Sequence, residues 1–125
     1  MTPVAFSKTS LLVLLAIALL CGSAQAHHGW RWTESGNFEV VGIIETVKLG
    51  NPHGVLTLDV DGEKWTIEVG QPWRNQRAGL EDGMLSIGAE VTISGQRSAD
   101  EAEKRVKAER VIIGTKTYDL YPDRD

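Results

Sequence analysis

The sequence predicts an all-β domain with one short helix, closed into a small, partly open barrel of five to six strands. Three observations predict it. Short β-branched runs recur between clusters of Gly, Pro, Asn and Asp. The single segment of helical character, residues 72–80 (PWRNQRAGL), falls between the third and fourth of these runs. The resulting order is three strands, a helix, two strands and a short extension, which is that of an OB-like Greek-key barrel. A simple β-sandwich is the alternative, and it has no need of a helix at that point.

Residues 38–49 (FEVVGIIETVKL) form a long first strand, with Gly42 marking a bulge or sharp bend. Gly50-Asn51-Pro52-His53-Gly54 is a loop, with Pro after Asn and Gly on both sides. Residues 55–60 (VLTLDV) alternate as a second strand, Asp61-Gly62 gives a hairpin turn, and 64–69 (KWTIEV) pair back. Pro72 opens the helix and Gly79 breaks it. A fourth strand, 90–94, is reached through Gly88, and polar residues 98–104 form a hairpin loop. Residues 106–113 are the fifth strand, Gly114-Thr115 turns the chain, and 116–120 are a short last strand. Trp65 alternates into the core, and Trp73 on the helix plugs the open end of the barrel. Trp30 and Trp32 flank Arg31 and anchor the N-terminal segment, or offer a platform for a sugar or base ring. Arg74 and Arg77, three apart, either pair with Glu81 and Asp82 or bind an anion.

The N-terminus reads as an export leader. Lys8 precedes an apolar run at 11–21 (LLVLLAIALLC), and Ala24-Gln25-Ala26 is a cleavage site for signal peptidase. The run is shorter than the ~20 residues that span a bilayer, so no stable membrane anchor is expected. Leu20 before Cys21 is too large for lipoprotein processing. The expected organisation is a leader at 1–26, an N-terminal segment at 27–37, a barrel domain at 38–121 and a tail at 122–125. Removing 26 of 125 residues leaves 99, discards the only cysteine and shifts the formal net charge from −4 to −5. The mature chain is then a periplasmic or secreted domain with no disulfide. Its acidic balance argues against nucleic acid as a partner.

Cleavage after Ala26 places His27 and His28 at the first two mature positions. An N-terminal histidine offers an α-amine and an imidazole in one chelate ring, and copper(II) favours nitrogen-rich tetragonal sites. The third histidine, His53, lies in the first hairpin loop. If the N-terminus folds back to that loop, an amine and two or three imidazoles would meet in a histidine-brace-like site. His27, His28 and His53 are therefore the candidate metal ligands, and copper is the one cofactor the residues point to. The bland alternatives are a solvated N-terminal tail and a loop-capping imidazole. No nucleophile motif, phosphate loop or nucleotide fingerprint is present, and no catalytic residue is assigned. The leading function is a small periplasmic binding module taking Cu(II). The alternative is a metal-free interaction domain that binds a protein or polymer on its barrel face. A small copper-dependent oxidase ranks third.

The chain resembles a family of small secreted bacterial domains of unknown function. The resemblance rests on AHHGW at 26–30, on Asn51-Pro52-His53 with the D-G-x-x-W hairpin at 61–65, on GQPWRNQRAGL at 70–80, and on Glu109-Arg110-Val111. Relatives tend to begin AHHS-F and to carry a tryptophan shortly before the NPH, where this chain has Gly29-Trp30 and Leu49-Gly50. The family implies a secreted domain and no particular activity.

Overall fold

The computed structural model describes residues 28–124, so His27 and the expected leader lie outside the described residues. The chain divides into two compact units, 1–31 and 32–125. In the first, a 3-10 turn spans His28–Trp30. The second holds all the strands: β1 (Phe38–Lys48), β2 (Val55–Val60), β3 (Glu63–Glu68), β4 (Glu90–Arg97), β5 (Arg105–Ile113) and β6 (Lys116–Asp119). One helix, α1 (Pro72–Arg77), lies between β3 and β4.

The sheet runs β3-β2-β1-β4-β5-β6, and β3 also pairs with β5. That last pairing is parallel, Thr66 to Arg105 through Glu68 to Lys107, and it closes five strands into a mixed barrel with β6 added at the edge. This is the OB-like arrangement, and the sandwich alternative falls.

β1 serves both halves of the barrel. Its first part, from Phe38 to Ile43, pairs with β4, and its second, from Ile43 to Lys48, pairs with β2. Gly42 sits at the changeover, where a Cβ would stand 2.6 Å from the Asp59 carbonyl oxygen. The bulge itself comes later. The register skips Glu45, and the inward positions change from Val40 and Ile44 to Val47. β5 carries a second bulge, because Ser94 pairs with Arg110 and Gly95 with Ala108, leaving Glu109 as the extra residue. Inward positions there change from Val106 and Ala108 to Val111. Each bulge breaks the strict two-residue alternation and lets one strand curl around the core.

The β2–β3 turn has positive φ at both Asp61 (52°) and Gly62 (85°), as the right-handed twist of a two-residue hairpin requires. The Gly62 N–H donates to Asp59 Oδ1 at 2.8 Å.

α1 is shorter than the 72–80 expected. Gly79 adopts φ +85° and ends it. The Leu80 N–H donates to the Asn75 carbonyl and the Gly79 N–H to the Gln76 carbonyl, which is a Schellman cap. Asn75 is the helix's buried residue, and its side chain bonds both the N–H and the C=O of Gly70, fastening α1 to the end of β3. Trp73 does not plug the barrel; it is 49% exposed. Leu80 and Leu85, just past the helix, are the residues buried with the core. Trp65 is buried as expected and stacks on Phe38 at 5.3 Å.

Candidate functional site

The Asn51-Pro52-His53 segment lies in the loop between β1 and β2, with a cis Asn51–Pro52 peptide. Gly54 extends the β2–β3 ladder by one step, its N–H bonding the Gly70 carbonyl and its C=O the Val69 N–H. A Cβ at Gly54 would press on Val69 Cγ2 at 2.7 Å, so only glycine lets the loop lie this close to β3. The close approach brings His53 to Glu68, with Nε2 3.4 Å from Oε1. That is an electrostatic contact rather than a short hydrogen bond. The imidazole remains about one-third exposed, while the carboxylate is buried.

Glu68 is the hub of the site. Lys107 Nζ donates to Oε1 at 3.0 Å and Arg105 Nη2 to Oε2 at 2.7 Å. Both cations stand on β5, and Lys107 is the direct parallel neighbour of Glu68. The ion cluster therefore sits on the seam that closes the barrel. Burying a carboxylate and an ammonium is tolerated only because each is paired. Arg105 is positioned from above by Trp32, whose ring lies 4.0 Å from the guanidinium carbon. Trp32 is held in turn by its carbonyl to the Ala99 N–H, and Thr33 Oγ1 donates to Gln96 Oε1. Trp32 thus acts as an anchor, and its ring is occupied by Arg105.

A second stack lies around α1. The Arg74 guanidinium sits between the rings of Trp73, at 4.5 Å, and Tyr121, at 4.1 Å, and Nη1 donates to the Leu120 carbonyl. Glu81 and Asp82 are not its partners. Tyr121 has its pKa raised, chiefly by burial; Glu68 adds to the rise, while Arg74 and Arg124 oppose it.

Glu109, the bulged residue of β5, is fully buried with its carboxylate oxygens making no hydrogen bond. Arg124 and Arg110 approach it at 3.7 and 3.8 Å. Its backbone carbonyl accepts from the N–H groups of Leu120 and Tyr121, so the bulge also seats the chain's last described turn.

Of the expected site residues, His53 is thus placed at a charged hub that sequence reasoning did not assemble. His28 falls in the short 3-10 turn, and His27 lies outside the described residues. Among the described residues, no group of three or more His, Cys, Asp or Glu side chains gathers to hold a metal ion. Among the described residues, no helix is long and apolar enough to cross a membrane. Glu68, Arg105 and Lys107 were missed. Their only sequence signal is charge at positions 68, 105 and 107, which does not stand out among the other charged residues of the same strands.

Similarity to solved structures supports the fold alone. A chain of the S. pombe Stn1–Ten1 complex matches with TM-score 0.51 at 17% identity, covering 64% of this chain and 59% of that one. The ZRD-deleted mutant of TiaS, in complex with agmatine, matches with TM-score 0.52 at 14% identity, covering 71% of this chain and 27% of that one. This chain therefore spans less than two-thirds of either. No curated protein matches it. A family model matches residues 15–107, and the chain belongs to that family, the Family of unknown function (DUF6152).

Proposed function

We propose that this domain is a small periplasmic binding module that takes Cu(II), with the His27 amine and imidazole as the chelating pair, His28 as a further imidazole donor, and His53 as another on condition that the N-terminus folds back to the first hairpin loop. The observation that carries the reading is the setting of His53. A buried carboxylate, itself fixed by Arg105 and Lys107, stands against one ring nitrogen. If the loop closes the 3.4 Å contact into a hydrogen bond, the carboxylate would take the Nε2 proton and leave the Nδ1 lone pair as a donor, the arrangement in which metal-ligating histidines are found. The Ala24-Gln25-Ala26 cleavage site supports the other half, since it frees an amine on His27.

The decisive experiment is calorimetric titration of Cu(II) into protein beginning at His27 and into the same protein with one extra leading Met. The extra residue moves the amine out of the His27 chelate ring. Affinity should fall sharply with the added Met. It should climb between about pH 5 and 8 in the native form, because amine and imidazole must both shed protons to bind. Equal affinities for the two proteins would sink the proposal.

A second reading is a metal-free interaction domain binding a protein on the barrel face. It is favoured by Val41 and Ile43, successive outward positions of β1 that are 48% and 39% exposed. Failure of the His27 protein to bind Cu(II) would leave this reading in front.

A further inference from the structure

We propose that the free edge of β1 takes an extended basic segment of a partner protein, which adds to the sheet as a further strand. From Phe38 to Gly42, β1 pairs with β4 alone, and its ladder with β2 begins only at Ile43. β2 ends at Val60 and the chain turns at Asp61-Gly62. Among the described residues, therefore, no strand pairs with the other edge of this stretch. The direction of its backbone groups follows from Ile44. The Ile44 N–H donates to the Ala89 carbonyl at 2.9 Å, and its C=O accepts from the Gly88 N–H at 2.8 Å, both on the β4 side. Antiparallel pairing alternates, so Gly42, Val40 and Phe38 also turn their backbone groups to β4. The N–H and C=O groups of Glu39 and Val41 then point to the open edge, and both residues are exposed. Such a row of unpaired groups is a template for pairing with another chain.

A groove of about 590 Å³ runs along that edge, with Phe38 to Val41 in one wall and Val60, Asp61 and Trp65 in the other. Side chains alternate between the faces of a strand, so only a space beside β1 meets four successive residues. The walls define the occupant. Open backbone donors and acceptors call for an extended polypeptide, as in strand addition to a sheet edge. Val40 faces inward and Glu39 and Val41 outward, so the incoming strand fits best with apolar residues inside and basic ones outside. Glu39, Asp61 and Glu63 border the groove, and no Lys or Arg lines it. Neighbouring cations are engaged: Lys104 with Glu63 at 2.7 Å, Lys64 with Glu45 at 3.6 Å, and Arg97 with the rings of Phe38 and Trp65. Among the described residues, neither Glu39 nor Asp61 has an ion-pair partner. Further along β1, Ile43 has Asp59 and Glu90 as its cross-strand neighbours, which extends the acidic border. A second copy would set these carboxylates against themselves on a chain of net charge −4, so the occupant is a basic partner. The proposal deepens the protein-binding reading, on which it rests, and uses none of the proposed copper donors.

The test combines ¹⁵N chemical shifts and amide hydrogen exchange of the exported protein in EDTA, with a capped octapeptide of alternating Lys and Val as the probe. Without peptide, the Glu39 and Val41 amides should exchange much faster than those of Val40 and Gly42, which bond β4. The peptide should shift Glu39, Val41 and Asp61 and slow exchange at Glu39 and Val41 by about tenfold or more. An octapeptide of alternating Glu and Val should do neither. Val41→Pro removes an N–H from the open edge alone and should weaken binding by about tenfold or more. Glu39→Lys, which leaves the backbone intact, should also weaken it, and the spectrum of each variant reports its fold. Equal exchange at Val40 and Val41 in the free protein, no shift with the Lys–Val peptide, or a dimer formed through the same amides would overturn the proposal. Shifts around Val41 and Ile43 without slowed exchange would overturn edge pairing while leaving the protein-binding reading in place.

Discussion

Glu68→Gln is the substitution that tests whether the charged hub holds the barrel closed. Glutamine keeps nearly the same shape but removes the charge and replaces one acceptor oxygen with an amide donor. It takes the opposing charge away from Lys107, whose side chain is 7% exposed, and it weakens the hold on Arg105, which is 32% exposed. Removing one partner of a buried ion pair costs about 3–5 kcal/mol. The Arg105 share is screened by water and adds no more than ~1 kcal/mol. Glutamine's carbonyl still accepts one bond, so a loss near the lower end, about 3 kcal/mol, is expected. Against the ~5–15 kcal/mol that stabilises a typical domain, this is a large fraction. Urea unfolding followed by tryptophan fluorescence measures it. A companion variant isolates the mechanism: adding Lys107→Met removes the buried ammonium as well and should recover most of the loss, since apolar replacement of a buried pair is close to neutral. A Glu68→Gln loss below about 1 kcal/mol, or no recovery with Lys107→Met, would refute the assignment of the hub as the barrel's closure.

Three further outcomes are expected. Trp65→Ala should cost about 3–5 kcal/mol in the same urea assay, because it empties a buried site and removes the stack on Phe38; a loss under ~1 kcal/mol would place Trp65 outside the core. Gly95→Ala should cost at least about 1–3 kcal/mol, since its Cβ would overlap the Lys107 carbonyl oxygen and only movement of β5 could relieve it; unchanged stability would remove the β4–β5 bulge from its position. Tyr121 should ionise above the usual 10.0, because burial disfavours the phenolate. The folded state then holds that proton more tightly than the unfolded state. The resulting stability is intact below pH ~10 and is lost as pH rises through the folded-state value. Tyr121→Phe should remove this part of the alkaline decline in thermal melts, and a Tyr121 midpoint at or below 10 in ultraviolet titration would contradict it.

The strands were legible because most are rich in β-branched residues and bounded by turn residues. Asp61-Gly62 and Gly114 mark turns by chemistry that only glycine or a small polar residue supplies. The loop holding His53 was legible for the same reason. The bulges were not. Glu45 and Glu109 are charged residues inside strands, and periodicity alone assigns each to the solvent side. Only pairing with a partner strand shows that the register skips them. Gly79 was read correctly as the break, and only the extension over Ala78 and Leu80 was misread, because those residues suit a helix's last turn in composition. The left-handed Gly79 instead directs Leu80 into the core.

The hub was illegible for a different physical reason. Glu68 and Lys107 are 39 residues apart, and their meeting depends on the parallel β3–β5 pairing, which no turn signals. Long-range parallel pairing has a high entropic cost and must be supported by specific contacts. Here the ion pair lies within that pairing, and the second cation, Arg105, carries the contact out to Trp32. The same carboxylate touches His53 on the first hairpin loop. Barrel closure and the setting of His53 therefore share one residue. A change at Glu68 must alter both, whereas His53→Ala removes an imidazole that is one-third exposed and leaves Glu68 with Arg105 and Lys107. Comparing the two variants separates the roles. His53→Ala should leave the urea midpoint within about 0.5 kcal/mol of the native protein, as surface substitutions generally do, while Glu68→Gln lowers it. If His53→Ala destabilises as strongly as Glu68→Gln, the imidazole is part of the closure itself and the loop is a structural brace.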